Sequence, residues 1–148
     1  MDTPLRGHLG FWLRLVSNHV SQAFAAKLAV SDVGVAEWAV LRLLHEHGAL
    51  MPSRLAAELG MTRGAVSKLV ERLEGRALLS RTVSASDRRC QALALTPAGR
   101  ALVPELTALA DRNDAEFFGA LSTTDRAAME RVLREIARRH GLATVPVT

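Results

Sequence analysis

Residues 55 to 74 of the chain read LAAELGMTRGAVSKLVERLE: a short apolar segment, a glycine break and a second amphipathic segment. Ser53 can cap the first helix and Gly60 can end it, while Thr62 can cap the second. Apolar side chains recur in the second helix at spacings of three and four residues, at Val66, Leu69, Val70 and Leu73. Two short helices joined by a tight turn, the second basic on its outer face, predict a helix-turn-helix.

A β-hairpin is predicted directly after these two helices. Leu78 to Val83 and Cys90 to Leu95 are short apolar segments, and the polar residues 84–89 between them fit a loop. Because side chains alternate along a strand, Leu93 and Leu95 share one face, and we expect both leucines to point into the core.

Further helices are predicted on both sides of this unit, over about residues 8–29, 35–45, 97–120 and 122–140. Gly48 closes the second of them. Thr96 followed by Pro97 is a strong helix start, since a hydroxyl cap precedes a proline whose missing N–H costs nothing at that position. Ser122 can cap the last helix, and residues 143–148 are expected to fray.

The terminal helices carry apolar stripes that need a partner surface. The first stripe consists of Leu9, Trp12, Leu13, Val16, Val20, Phe24 and Leu28, and the last of Met129, Val132, Leu133 and Ile136. The predicted fold is mainly α with a small β-hairpin wing, a winged helix-turn-helix plus terminal dimerisation helices. We expect one domain over residues 1–148: a DNA-binding lobe over about 34–96, and a helical dimerisation region over about 5–30 and 97–141.

The basic charge of the chain is concentrated in one segment. The sequence has 19 lysines and arginines against 15 acidic residues, a net charge of +4 with an isoelectric point near 10.5. Residues 62–89 alone hold seven bases and three acids, which accounts for the whole excess. A basic segment that coincides with a helix-turn-helix and a hairpin predicts a polyanionic partner, double-stranded DNA.

In such a fold the second helix enters the major groove and the hairpin loop reaches the neighbouring minor groove. Arg63 can bind guanine through two hydrogen bonds, and Arg88 or Arg89 can enter a narrow minor groove. Asp87 is expected to hold the loop or orient an arginine, because phosphate would repel it. The remaining predicted contacts are Thr62, Gly64, Ser67, Lys68 and Arg72, the last two to phosphates.

The chain resembles the MarR family of bacterial transcriptional regulators. The resemblance rests on LAAELGMTRGAVSKLVERLE, on SDRRCQALALT in the hairpin and on TPAGRALV, which opens the next helix. It implies an obligate homodimer with a winged helix-turn-helix in each subunit, dimerised by helices from both chain ends. It also implies a repressor of a pseudo-palindromic operator, released by a small molecule, a metal or an oxidant.

Two positions depart from the pattern of that family. Ala77 stands where many members have a glycine before the first hairpin strand, and Gly75 lies two residues earlier. Since alanine is costly in a left-handed conformation, we expect this helix to end differently. The first helix also lacks the cysteine that peroxide-sensing members carry there, which disfavours peroxide sensing of that type.

Several residues have both a functional and a structural interpretation. Phe11, Trp12 and Trp38 can line a pocket for an aromatic or other small effector, or simply pack in the core. Cys90, beside two arginines, can be a redox-sensitive thiol or merely a small strand residue. His45 and His47 lie two residues apart, which on a helix points them to different faces, so we expect no metal site.

The sequence does not favour an enzyme. It contains no P-loop, no glycine-rich dinucleotide turn, no GxSxG and no HExxH, and we expect neither catalytic residues nor a cofactor. A winged helix used only for protein contact is the alternative function. One cysteine and the absence of a signal peptide or a long apolar run predict a cytoplasmic protein that does not interact with membranes.

Overall fold

The computed structural model describes residues 1–83 and 91–148. Its helices are α1 (Leu9–Ala29), α2 (Val35–His47), α3 (Pro52–Leu59), α4 (Arg63–Gly75), α5 (Pro97–Phe118) and α6 (Thr123–Arg139). Its strands are β1 (Ala49–Leu50), β2 (Leu79–Val83) and β3 (Gln91–Leu95). The predicted fold class, mainly α with a small β-hairpin, is confirmed.

The hydrophobic core lies where α2, α3, α4 and the sheet meet, and α5 closes it. The predicted inner faces of α3 and α4 are buried, and so are Leu93 and Leu95 of β3, as expected. Val103 and Leu106 of α5 are fully enclosed in the same cluster. The helix-turn-helix is therefore packed firmly on its inner side, which leaves its outer side free for a partner.

Within the described ranges the sheet has three antiparallel strands in the order β1, β3, β2, and β1 was not predicted. Ala49 and Leu50 pair with Ala94 and Leu93. Two residues are too few to show an alternating pattern, so only the tertiary pairing reveals this strand. It places β3 in the centre of the sheet and ties the hairpin to the end of α2.

Three hydroxyl caps are confirmed. Thr62 Oγ1 accepts the N–H of Ala65 at 3.2 Å, Thr96 Oγ1 accepts that of Gly99 at 3.1 Å, and the Ser122 hydroxyl caps α6 in the same way. The predicted cap at Ser53 is wrong: α3 begins at Pro52 with Met51 as its N-cap. Proline is favoured at a first helical position, so Ser53 falls inside the first turn.

The ends of α2 and α4 differ from the predictions. α2 continues two residues beyond His45 before Gly48 ends it at φ +82°. The expectation that α4 would avoid a left-handed ending is wrong, because Ala77 has φ +58°. The amide of Leu78 donates to Leu73 at 3.0 Å and that of Ala77 donates to Glu74 at 2.9 Å, so the two hydrogen bonds of this helix end hold Ala77 in the left-handed conformation.

The predicted fraying of the C-terminal tail is also wrong. The amide of Val145 donates to the carbonyl oxygen of Glu58, at the end of α3, at 2.9 Å. Val145 and Val147 are partly buried against the core. The tail therefore connects α6 to the helix-turn-helix.

The outer faces of α1 and α6 remain apolar and exposed within a single chain. In the described part of the chain, Leu28 is the only buried residue of α1, and α6 has none. The large apolar side chains exposed on these two helices are Leu9, Trp12, Leu13, Leu15, Val16, Met129, Val132, Leu133 and Ile136. Among the described residues, no helix is long and apolar enough to cross a membrane.

Candidate nucleic-acid interface

The outer face of α4 carries most of the predicted DNA contacts. Because the inner face of this helix is buried, Arg63, Ser67 and Lys68 extend from the opposite side, and all three are exposed. Thr62 uses one oxygen lone pair to cap the helix, so its hydroxyl hydrogen is still available to a partner. The structure brings these four side chains together around the first two turns of α4.

Gly64 lies on the same exposed face. A β-carbon at this position would meet no atom of the described residues within 4 Å, so none of them requires a glycine there. The close approach of a duplex to the helix at Gly64 stays a prediction.

A shallow polar groove runs from α4 to the base of the hairpin. It is lined by Met51, Pro52, Ser53, Arg63, Ser67, Arg81 and Gln91. Arg81 of β2 was not predicted as a contact, although it belongs to the basic segment. Its guanidinium lies 3.0 Å from the carboxylate of Glu74, which anchors it between α4 and the sheet. Side chains alternate along a strand, so Arg81 lies on the same face of β2 as the buried Leu79. A positive charge on that face was the signal that could have identified Arg81.

Arg72 is placed differently from the other predicted contacts. Its Nη1 atom lies 3.7 Å from Oε1 of Glu37, a residue of α2 that is only 5% exposed. The same carboxylate oxygen accepts the amide of Gly34 at 3.1 Å. The structure thus places Arg72 beside a buried acid of a neighbouring helix, and not with Arg63 and Ser67 in the groove.

The predicted wing contacts Asp87, Arg88 and Arg89, and the thiol of Cys90, lie outside the described residues. The last described pair of the hairpin is Val83 opposite Gln91, next to the groove on α4.

The three aromatic residues of the predicted effector pocket do not meet within one chain. Phe11 and Trp12 stack edge to face at 5.1 Å, and the Trp12 indole donates to the carbonyl oxygen of Arg6. Trp38 packs edge to face on Phe24 at 6.0 Å. Phe24 follows Trp12 by twelve residues, about 18 Å along α1. Among the described residues no cluster of side chains suits a metal ion.

A helix-turn-helix with an exposed basic second helix, followed by an antiparallel hairpin, defines a winged-helix DNA-binding protein. Residues 35–91 match the model of the MarR family. The chain belongs to the MarR family and is a DNA-binding transcriptional regulator.

Individual relatives agree with this assignment. A putative transcriptional regulatory protein for the hcr operon of Thauera aromatica is 27% identical over 136 residues, covering 91% of this chain and 82% of the relative. The structure of CouR from Rhodococcus jostii RHA1 bound to p-coumaroyl-CoA superposes with a TM-score of 0.79 at 30% identity, covering 92% and 96% of the two chains. BpsR of Bordetella bronchiseptica, whose DNA binding is regulated by 6-hydroxynicotinic acid, superposes with a TM-score of 0.79 at 28% identity, covering 93% and 98%.

Proposed function

We propose that the protein is a homodimeric repressor that reads a pseudo-palindromic operator and leaves it when a small organic effector binds. The observation that carries this proposal is the exposed basic start of α4, where Arg63, Ser67 and Lys68 stand on a rigidly packed helix. Residues 34–96 form the DNA-binding lobe, and residues 5–30 and 97–141 form the dimerisation region. Arg63 reads a base, Lys68 neutralises a phosphate, and Arg88 or Arg89 enters the minor groove.

The exposed apolar faces of α1 and α6 support the homodimer. Met129, Val132, Leu133 and Ile136 recur at helical spacing and are each 40 to 46% exposed. A soluble helix rarely keeps such a stripe in water, and a second copy of the chain offers the same stripe in return. A two-fold dimer places its two α4 helices in major grooves about one turn of DNA apart.

The effector belongs, in this proposal, to the aromatic carboxylates or their thioesters. CouR and BpsR, similar to this chain over more than nine-tenths of its length, bind or respond to p-coumaroyl-CoA and 6-hydroxynicotinic acid respectively. Phe11 and Trp12 lie at the exposed end of α1, where they can meet a ligand together with the partner subunit. One state of the dimer has the α4 spacing that fits DNA, and another state has a different spacing. A ligand that binds the second state more tightly than the first weakens DNA binding by that difference in affinity.

The protein acts by binding alone, without a catalytic step or a cofactor, and it works in the cytoplasm with the DNA. Fluorescence anisotropy with the DNA that flanks its own gene tests this proposal, at about 50 and 200 mM salt. We expect specific binding that weakens steeply with salt and is lost in the Arg63→Ala, Lys68→Ala double variant. The matched control is the Arg131→Ala, Arg134→Ala double variant, since it also removes two exposed positive charges, in this case from α6.

Two results would contradict the proposal. Affinity that is independent of salt would indicate a surface for protein contact and not a DNA interface. Equal loss of binding in the α6 double variant and in the α4 double variant would show that net charge, and not the exposed face of α4, governs the interaction.

A further inference from the structure

The carboxylate of Glu37 is an unusual group to bury. The residue is 5% exposed, and its Oε2 atom has no hydrogen-bond partner in the described part of the chain. Its other oxygen caps α2 by accepting the amide of Gly34 at 3.1 Å, a task that a neutral glutamine performs equally well. A buried negative charge destabilises a protein unless a cation compensates it, so the charge of Glu37 requires another explanation.

The cation is Arg72 of α4, whose Nη1 atom lies 3.7 Å from Glu37 Oε1. Its side chain is 61% exposed, so the guanidinium bridges the buried carboxylate and the solvent. One helical turn later Arg76 donates to the backbone carbonyl oxygens of Asp32 at 2.6 Å and Ser31 at 3.3 Å. Arg72 thus ties α4 to the first turn of α2, and Arg76, the C-cap of α4, ties the end of the helix to the connection between α1 and α2.

Lys68 lies one turn before Arg72 on the same side of α4, because residues four apart are neighbours on a helix. Lys68 is exposed and lies in the half of α4 that carries Arg63 and Ser67. The three basic residues Lys68, Arg72 and Arg76 therefore differ in their contacts. Lys68 faces the solvent, whereas Arg72 and Arg76 bind other residues of the same chain.

We propose that Glu37 and Arg72 are positioning residues for DNA recognition. Their ion pair fixes the direction of α4 relative to α2 and the end of α1, so that Arg63 and Ser67 reach the base edges, and Arg72 does not contact a phosphate. This inference rests on the proposed interface at α4 and replaces the phosphate contact that the sequence predicts for Arg72.

The test measures operator affinity as a function of salt for the full-length protein and the variants Glu37→Gln, Arg72→Met and Lys68→Ala. Glutamine keeps the cap on Gly34 and methionine keeps the aliphatic stem, so both variants retain the packing. We expect Glu37→Gln and Arg72→Met each to weaken binding about five- to twentyfold at every salt concentration. The double variant should be no weaker than either single one, because both remove the same interaction.

The slope of log affinity against log salt distinguishes positioning from direct binding to phosphate. We expect the slope to stay at the wild-type value in Glu37→Gln and Arg72→Met, and to fall in Lys68→Ala by about 0.9 for each phosphate that the lysine no longer neutralises. If Arg72→Met lowers the slope as Lys68→Ala does, while Glu37→Gln binds like the wild type, Arg72 binds a phosphate and the inference is overturned. An unchanged slope and affinity in all three variants would overturn the interface on α4 and the inference with it.

Discussion

Gly99 packs against the backbone of Leu78 so closely that a β-carbon on Gly99 would lie 2.0 Å from the carbonyl oxygen of Leu78. The same oxygen accepts the amide of Thr96 at 3.1 Å. The start of α5 is thereby locked onto the segment that follows α4. This contact gives a physical reason for the glycine in the TPAG motif, which the sequence shows only as a pattern.

Replacing Gly99 with alanine should lower the free energy of unfolding by about 3 kcal/mol, since the backbone would have to move to relieve the overlap. Thermal unfolding at a fixed protein concentration measures the effect, because the stability of a dimer depends on concentration. Gly75→Ala, at the last residue of α4, is the control: among the described residues an added β-carbon there meets nothing within 4 Å, so we expect no loss of stability. Equal effects of the two substitutions would refute the packing argument.

Ala77→Gly should stabilise the protein. The alanine is held at φ +58°, which costs an L-residue about 1 kcal/mol and costs glycine almost nothing. For a chain of this size that gain corresponds to a rise in melting temperature of about 2 to 4 °C. Ala77→Val tests the cause, because a β-branched side chain in the same conformation should lower the melting temperature. A lower melting temperature for Ala77→Gly would show that the alanine methyl group contributes packing that outweighs the strain.

The features of the fold that follow from local sequence patterns could be predicted, and the features that depend on distant contacts could not. The buried faces of α3 and α4 and the caps at Thr62, Thr96 and Ser122 are local patterns, and the structure contains them. The left-handed Ala77 was missed because a distant bond supports it: the Thr96 hydroxyl donates to the carbonyl oxygen of Ala77 at 2.6 Å. Together with the hydrogen bonds of the helix end, this bond outweighs the local preference of alanine.

The same distinction applies to the candidate interface. The exposed residues at the start of α4 could be named from helical spacing alone. Glu37 and Arg72 are 35 positions apart, and only the packing of α2 on α4 brings them within 3.7 Å. Composition shows how many charged residues a segment holds, but it does not show which of them form ion pairs within the chain.

Asn113→Ala should destabilise the contact between α1 and α5. The Asn113 amide, 5% exposed, accepts from Lys27 Nζ at 2.9 Å and donates to the carbonyl oxygen of Val20 at 3.2 Å. Loss of both bonds should lower the free energy of unfolding by about 1 to 3 kcal/mol, as for other buried hydrogen-bonded groups. The neighbouring Asp114→Ala is the control, since its ion pair with Arg126 is exposed to solvent and contributes little to stability. Similar losses in chemical denaturation of both variants would contradict the assigned role of Asn113.

Deleting residues 144–148 should loosen the turn of the helix-turn-helix. The tail supplies the amide of Val145 to Glu58, and its Thr144 Cγ2 atom lies 3.3 Å from where a β-carbon of Gly60 would stand. Without the tail, the carbonyl oxygen at the end of α3 loses its partner and the core loses the cover of Val145 and Val147. We expect the free energy of unfolding to fall by about 1 to 3 kcal/mol.

Hydrogen exchange locates this effect, because local opening shows at individual amides. In the truncated protein the amides of Gly60 and Met61, which donate to Ala57 and Ala56, should exchange faster, beyond the general loss of stability. Removal of Thr148 alone is the control, since it keeps Val145 and Val147 in place. If protection at Gly60 and Met61 is the same in both truncations, the tail does not support the turn, and the bond from Val145 to Glu58 has no influence on the surface that meets DNA.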